Sequence, residues 1–131
     1  MKKLLFTLLL AAISSHALAD WKLIATDEEK TNFFIDPNSI KKYGSRVIVL
    51  ELTSYATPQT YIDANKPYLS LKSKVAYDCK NKTQKYLFIK GYEDEMGKSK
   101  VVYVISSKIT EYTIPPESIA SALIKAVCSK D

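Results

Sequence analysis

Between Trp21 and Thr113 the chain repeats one local pattern, a run of β-branched, aliphatic and aromatic residues closed by a polar turn. Trp21–Thr26 ends at Asp27-Glu28-Glu29-Lys30, and Asn32–Ile35 ends at Asp36-Pro37-Asn38, where proline and Asx chemistry favour a turn. Tyr43-Gly44-Ser45 leads into the long apolar run Arg46–Tyr55. Residues 56–69 hold Pro58 and Pro67, lack periodicity and read as a loop. Runs resume at Ser70–Cys79, at Thr83–Glu93 after Lys80-Asn81-Lys82, and at Val101–Thr113 after Asp94-Glu95-Met96-Gly97. Six strands joined by short turns predict an antiparallel meander. Beyond Pro115-Pro116 the period changes. Ile119, Leu123, Ala126 and Val127 recur at helical spacing, with Pro116 expected to open the helix and Glu117 to sit in its early turn. The predicted class is α+β, a six-stranded antiparallel curved sheet with one C-terminal helix packed on one face.

That architecture leaves a face to account for. A helix of about 11 residues is roughly 16 Å long and covers one side of about three strands. Several strands are nevertheless apolar on both sides. Alternation sends Ile48, Leu50 and Leu52 one way and Val47, Val49 and Tyr55 the other. It likewise sets Leu87 and Ile89 against Tyr86, Phe88 and Tyr92, and Val101, Tyr103 and Ile105 against Val102 and Val104. The second face is expected to be covered by sheet curvature and the 56–69 loop, or to serve as a homodimer or partner surface.

The first 19 residues read as a secretory signal: Lys2 and Lys3, the apolar stretch Leu4–Ile13, then Ala17-Leu18-Ala19. Ten residues of helix span only about 15 Å, too short for a bilayer, so cleavage is expected, leaving a single domain at 20–131. No later stretch reaches membrane-spanning length, and the expected location is periplasmic or extracellular. In such a compartment Cys79 and Cys128 are expected to pair, tying the helix end to the sheet. A metal site would lack further ligands, and a reactive thiol would lack an activating base.

The single histidine, His16, lies in the signal, so histidine triads, metal sites and pH switches are unavailable to the exported chain. Ser39-Ile40-Lys41-Lys42 matches a Ser-x-x-Lys spacing without its companion motifs. Glu93-Asp94-Glu95 lacks calcium-loop spacing and reads as solvated acids at a hairpin tip. Gly44, Gly91 and Gly97 stand alone and build no phosphate loop. No catalytic residue, metal ligand or cofactor site is expected.

Charge is unevenly placed. Without the signal the chain keeps 17 basic and 14 acidic residues, too mild an excess to imply nucleic acid. Six lysines (Lys72, Lys74, Lys80, Lys82, Lys85 and Lys90) nevertheless crowd one hairpin whose only acid is Asp78. They are the candidate binding residues for an anionic partner; the alternative is that they guard a soluble hairpin against aggregation.

Phe34-Ile35-Asp36-Pro37-Asn38-Ser39-Ile40, Ser70-Leu71-Lys72 running to Asp78-Cys79, and Ile114-Pro115-Pro116-Glu117-Ser118 before a helix ending at Cys128 together resemble the surface-adhesin protein E family of Gram-negative bacteria. The resemblance implies a six-stranded sheet, a helix tied by a disulfide, no enzymatic activity and binding of host matrix or serum proteins. The family's namesake is lipid-anchored, whereas here no lipobox cysteine follows the signal. The expected function is an exported non-enzymatic binding protein; the alternative is a soluble periplasmic structural or envelope-maintenance protein.

Overall fold

The computed structural model describes residues 20–60, 66–106 and 110–129; the predicted signal, residues 1–19, lies outside them. The strands are β1 (Lys22–Thr26), β2 (Asn32–Tyr43), β3 (Arg46–Gln59), β4 (Tyr68–Asp78), β5 (Thr83–Tyr92), β6 (Val101–Ile105) and β7 (Glu111–Thr113), followed by helix α1 (Ile119–Cys128). The first six lie side by side in chain order, each antiparallel to its neighbour. β6 pairs with Ile89–Tyr92 of β5 and β7 with Thr83–Lys85, so the two share the sixth position. The expected strand Val101–Thr113 is therefore one edge in two pieces.

Three further expectations need correction. β2 does not end at Asp36-Pro37-Asn38; it bulges there and continues. Asp36 Oδ1 accepts from the Asn38 N–H, while Ser39 Oγ donates to the Asp36 carbonyl and accepts from the Leu50 N–H. The Asp36 and Ser39 side chains, the latter joined to Leu50 on the next strand, thus replace the ladder bonds that Pro37 and its neighbours cannot make. Likewise β3 runs through Pro58 to Gln59, and β4 begins at Tyr68. Beyond Ser54, β3 has no β2 partner, and its register with β4 breaks between Ser54 and Gln59, so the missing N–H of Pro58 costs no ladder bond. Of the segment expected to cover the second face, residues 61–65 lie outside the described residues. Tyr68 is buried edge-on between the rings of Tyr55 and Tyr103, with centroids 5.8 and 5.0 Å away. Finally, α1 is opened not by Pro116 but by Ser118, whose hydroxyl accepts from the Ser121 N–H; Glu117 lies outside the helix.

α1 lies across β1, β2 and β3. Its Leu123, Ile124 and Val127 pack with Ile114 against Ile35, Val47, Val49, Val75 and Tyr77, which form the core. Cys128 bonds to Cys79 at the end of β4, with Cα atoms 5.8 Å apart, as expected from the exported context.

Register shifts change which residues share a face. Opposed residues of an antiparallel pair project to the same side. Between Lys74↔Phe88 and Val75↔Tyr86 the pairing skips Leu87, and a second shift falls between Gly91 and Tyr92. Tyr86 consequently joins the helix side and Phe88 the opposite side, and Val101 and Val104 share that opposite side. The expected grouping of Tyr86 with Phe88, and the expected opposition of Val101 to Val104, do not hold.

Candidate functional site

The face away from α1 is built from alternate residues of β3, β4 and β5. Ile48, Leu50 and Leu52 of β3 oppose Ala76, Lys74 and Lys72, which in turn oppose Lys85, Phe88 and Lys90. Two shallow depressions flank a ridge made by Leu50 and Phe88. One, of about 300 Å³, is bordered by Ser39, Ile48, Lys41 and Lys74. The other, of about 220 Å³, is bordered by Trp21, Tyr92, Lys72 and Lys90. At the margins Leu23, Val101 and Val104 are 52, 45 and 53% exposed, so this side carries apolar surface that the helix does not cover.

Two of these lysines are held over aromatic rings. Lys72 Nζ lies 5.0 Å from the Tyr92 ring centroid and Lys90 Nζ 5.3 Å from that of Phe88. Gly97, at φ +66°, presses against the Lys72 stem; a Cβ there would come 2.5 Å from Lys72 Cε. Among the described residues none of Lys41, Lys72, Lys74, Lys85 and Lys90 forms an ion pair; the pair found joins Lys66 to Glu93 at 3.2 Å. Nearby acids are engaged by the backbone. Asp78 accepts from the Asn81 and Lys80 N–H groups and from the Asn81 side-chain amide, and the Asn81 backbone contributes most to holding its carboxyl below the usual range.

Of the six predicted lysines the structure brings four together: Lys72, Lys74, Lys85 and Lys90. Lys80 and Lys82 sit in the turn between β4 and β5. Lys82 instead borders a separate depression of about 310 Å³ with Pro115, Pro116, Glu117 and Lys125 near the start of α1. Sequence reasoning missed Lys41 and Trp21, which arrive from β2 and from just before β1. The signal that could have found Trp21 was its position two residues before the exposed Leu23 on an apolar run.

The acidic tip also differs from expectation. Asp94 is not merely solvated but organises its turn, accepting from the Ser99 hydroxyl and from the Met96, Lys98 and Ser99 N–H groups. Partial burial alone would raise its pKa; the Ser99 hydroxyl and these N–H groups overcome that and hold the carboxyl well below the usual range. The Ser70 hydroxyl donates to the Asp94 carbonyl and fixes the turn to β4.

On the helix side one charged residue was overlooked. Glu51 projects inward beside Ile35 and Ser73 and is buried. The Tyr77 hydroxyl donates to its Oε2. Burial raises the Glu51 pKa from 4.5 to about 7, with the Tyr77 hydrogen bond opposing the rise. Burial, then Glu51 and Tyr55, push Tyr86 up to about 12. The available signal was an acid at the inward parity of the run Val47–Leu52.

The site thus lies on a six-position antiparallel meander whose last helix is clamped to the sheet by a disulfide and whose opposite face is rich in lysine. The surface-adhesin protein E family model matches residues 21–129, and the chain belongs to that family. No curated protein matches the sequence. Among solved structures, crystal form II of Haemophilus influenzae protein E is similar over 83% of this chain and 87% of its own, with 12% identity and a TM-score of 0.67. Its selenomethionine form gives 13% identity and 0.66 over 83% and 85%. Protein E from non-typeable Haemophilus influenzae gives 13% and 0.64 over 83% and 75%. At such identities the likeness is one of fold. No helix among the described residues is long and apolar enough to cross a membrane.

Proposed function

We propose that this protein is exported, is cleaved after Ala19, and acts in the periplasm or outside the cell as a non-enzymatic adhesin-like module that binds a protein partner through the face away from α1. The observation that carries this reading is the partly exposed apolar surface of Trp21, Leu50 and Phe88, bordering two depressions and set among lysines that have no acidic partner among the described residues. Apolar surface supplies affinity, and unpaired cations select an acidic partner and speed its approach. Membership of the surface-adhesin protein E family supports the same reading.

The test measures binding of the purified exported protein to immobilised host matrix and serum proteins over a range of salt. Reversing Lys74 and Lys85 to Glu should weaken binding by roughly tenfold or more and flatten its salt dependence. Reversing Lys80 and Lys82, an equal charge change in the turn, should leave most of it. Equal loss in both variants would show that net charge alone matters and would overturn the assignment of the face. Protease treatment of intact cells, against cell fractionation, distinguishes surface display from a periplasmic envelope role.

A further inference from the structure

The two depressions share Leu50 and Phe88 as a common wall, and each has an apolar floor with two lysines on its rim. Lys74 serves the first and Lys72 the second, two residues apart on β4. Strand geometry therefore offsets the depressions by roughly 7 Å along the sheet. Side chains at positions i and i+2 of an extended chain repeat over the same distance.

We infer that this face is a two-pocket clamp for an extended acidic polypeptide segment that seats apolar side chains at i and i+2 on either side of the Leu50–Phe88 ridge while its flanking carboxylates meet Lys41, Lys74, Lys72 and Lys90. The inference rests on the binding role proposed above and names the chemistry of the partner. Charge complementarity selects the occupant. A purely apolar segment would strand four lysines under desolvation, and a purely anionic one would leave Trp21, Leu50 and Phe88 wet. Lys72 and Lys90, resting over Tyr92 and Phe88, are already held beside the second depression, which reduces the ordering cost of binding.

Trp21 is the only tryptophan in the sequence and borders the second depression, so its fluorescence reports occupancy directly. The probe is a synthetic dodecapeptide with two leucines at i and i+2 flanked by glutamates, titrated into the purified exported protein. A saturable blue shift is expected. Replacing either leucine by serine should weaken binding at least about tenfold, and replacing the glutamates by glutamine should do the same and remove the salt dependence. Because these changes are made in the peptide, folding of the protein is not at issue. Lys74→Gln and Lys90→Gln should each reduce affinity for the acidic peptide and not for its glutamine version. Polyglutamate binding as tightly as the dodecapeptide would overturn the clamp while leaving a charge-selective binding role intact. A silent Trp21, with host-protein binding still sensitive to Lys74 and Lys85 reversal, would do the same. Silence in both assays would overturn both readings. Phosphatidylglycerol vesicles that bind without competition from the peptide would assign the face to a lipid surface instead. A dimer in sedimentation that the peptide does not dissociate would assign it to a second copy of the chain.

Discussion

Replacing Glu51 by Gln should remove a pH dependence of stability that the wild-type protein carries between about pH 4.5 and 7. Glu51 is buried on the helix side of β3, with Ile35 and Ser73 opposite it and the Tyr77 hydroxyl as its hydrogen-bond donor; Tyr86, whose own pKa it helps to raise, is a further titratable neighbour on that side. Folding raises its pKa from 4.5 to about 7, so the folded state holds the proton more tightly than the unfolded chain by about 3 kcal/mol. The sign follows from proton counting. Below pH 4.5 the carboxyl is protonated in both states and costs nothing. As pH rises from 4.5 to 7 only the unfolded chain releases the proton, so stability falls; above 7 it levels off. Gln still offers Tyr77 a carbonyl acceptor but cannot ionise. At pH 8 Glu51→Gln should therefore be more stable than wild type by up to about 3 kcal/mol, and near pH 4.5 the two should be close. Asp94 does not confuse the measurement. Its pKa is depressed, so its contribution is present above the ordinary Asp range and is lost only as pH falls below it. Urea midpoints at half-unit steps from pH 4.5 to 8.5, with m-values checked for constancy, measure the effect. Parallel stability curves for wild type and variant would refute the reasoning. Glu51 and the lysine face lie on opposite sides of the sheet, so peptide binding should be the same in both proteins.

The exported protein should weigh two hydrogens less under non-reducing than reducing conditions, because Cys79 and Cys128 are bonded. Replacing both cysteines by serine releases a loop closed by residues 49 apart and should cost roughly 4 kcal/mol by chain entropy, read as a shift in the denaturant midpoint; a shift under about 1 kcal/mol would contradict that account. Gly91→Ala should destabilise by about 1–3 kcal/mol, because a Cβ there would lie 2.4 Å from the Tyr103 ring that covers it; stability within about 0.5 kcal/mol of wild type would show that the ring is free to move aside.

Much of the fold was legible because it is written in short-range chemistry. The turn residues between strands, the spacing of Ile119, Leu123 and Val127, and two cysteines in an exported chain each act within a few residues or through one covalent bond. The adhesin-type meander, the helix and the disulfide followed. What the sequence could not display was set by partners distant along the chain. Pro37 looks like a strand end until Ser39 is seen bonded to the Leu50 N–H, eleven residues further along the chain from Ser39. Pro58 looks like a loop residue until β2 is seen to stop short of it. The lysine-rich face depended on the same kind of event. Lys85 and Lys90 have opposite parity and by simple alternation belong to opposite faces, but the register skip at Leu87 places them opposite Ala76 and Lys72 on one side. Glu51 and Leu50 are neighbours in an apolar run, and only the docking of α1 decided that Glu51 would be buried with a raised pKa while Leu50, half-buried, borders the depressions of the other face. Local pattern determines that a strand has two faces; the tertiary contact of the helix determines which one is the core, because alternation is symmetric until something packs against one side.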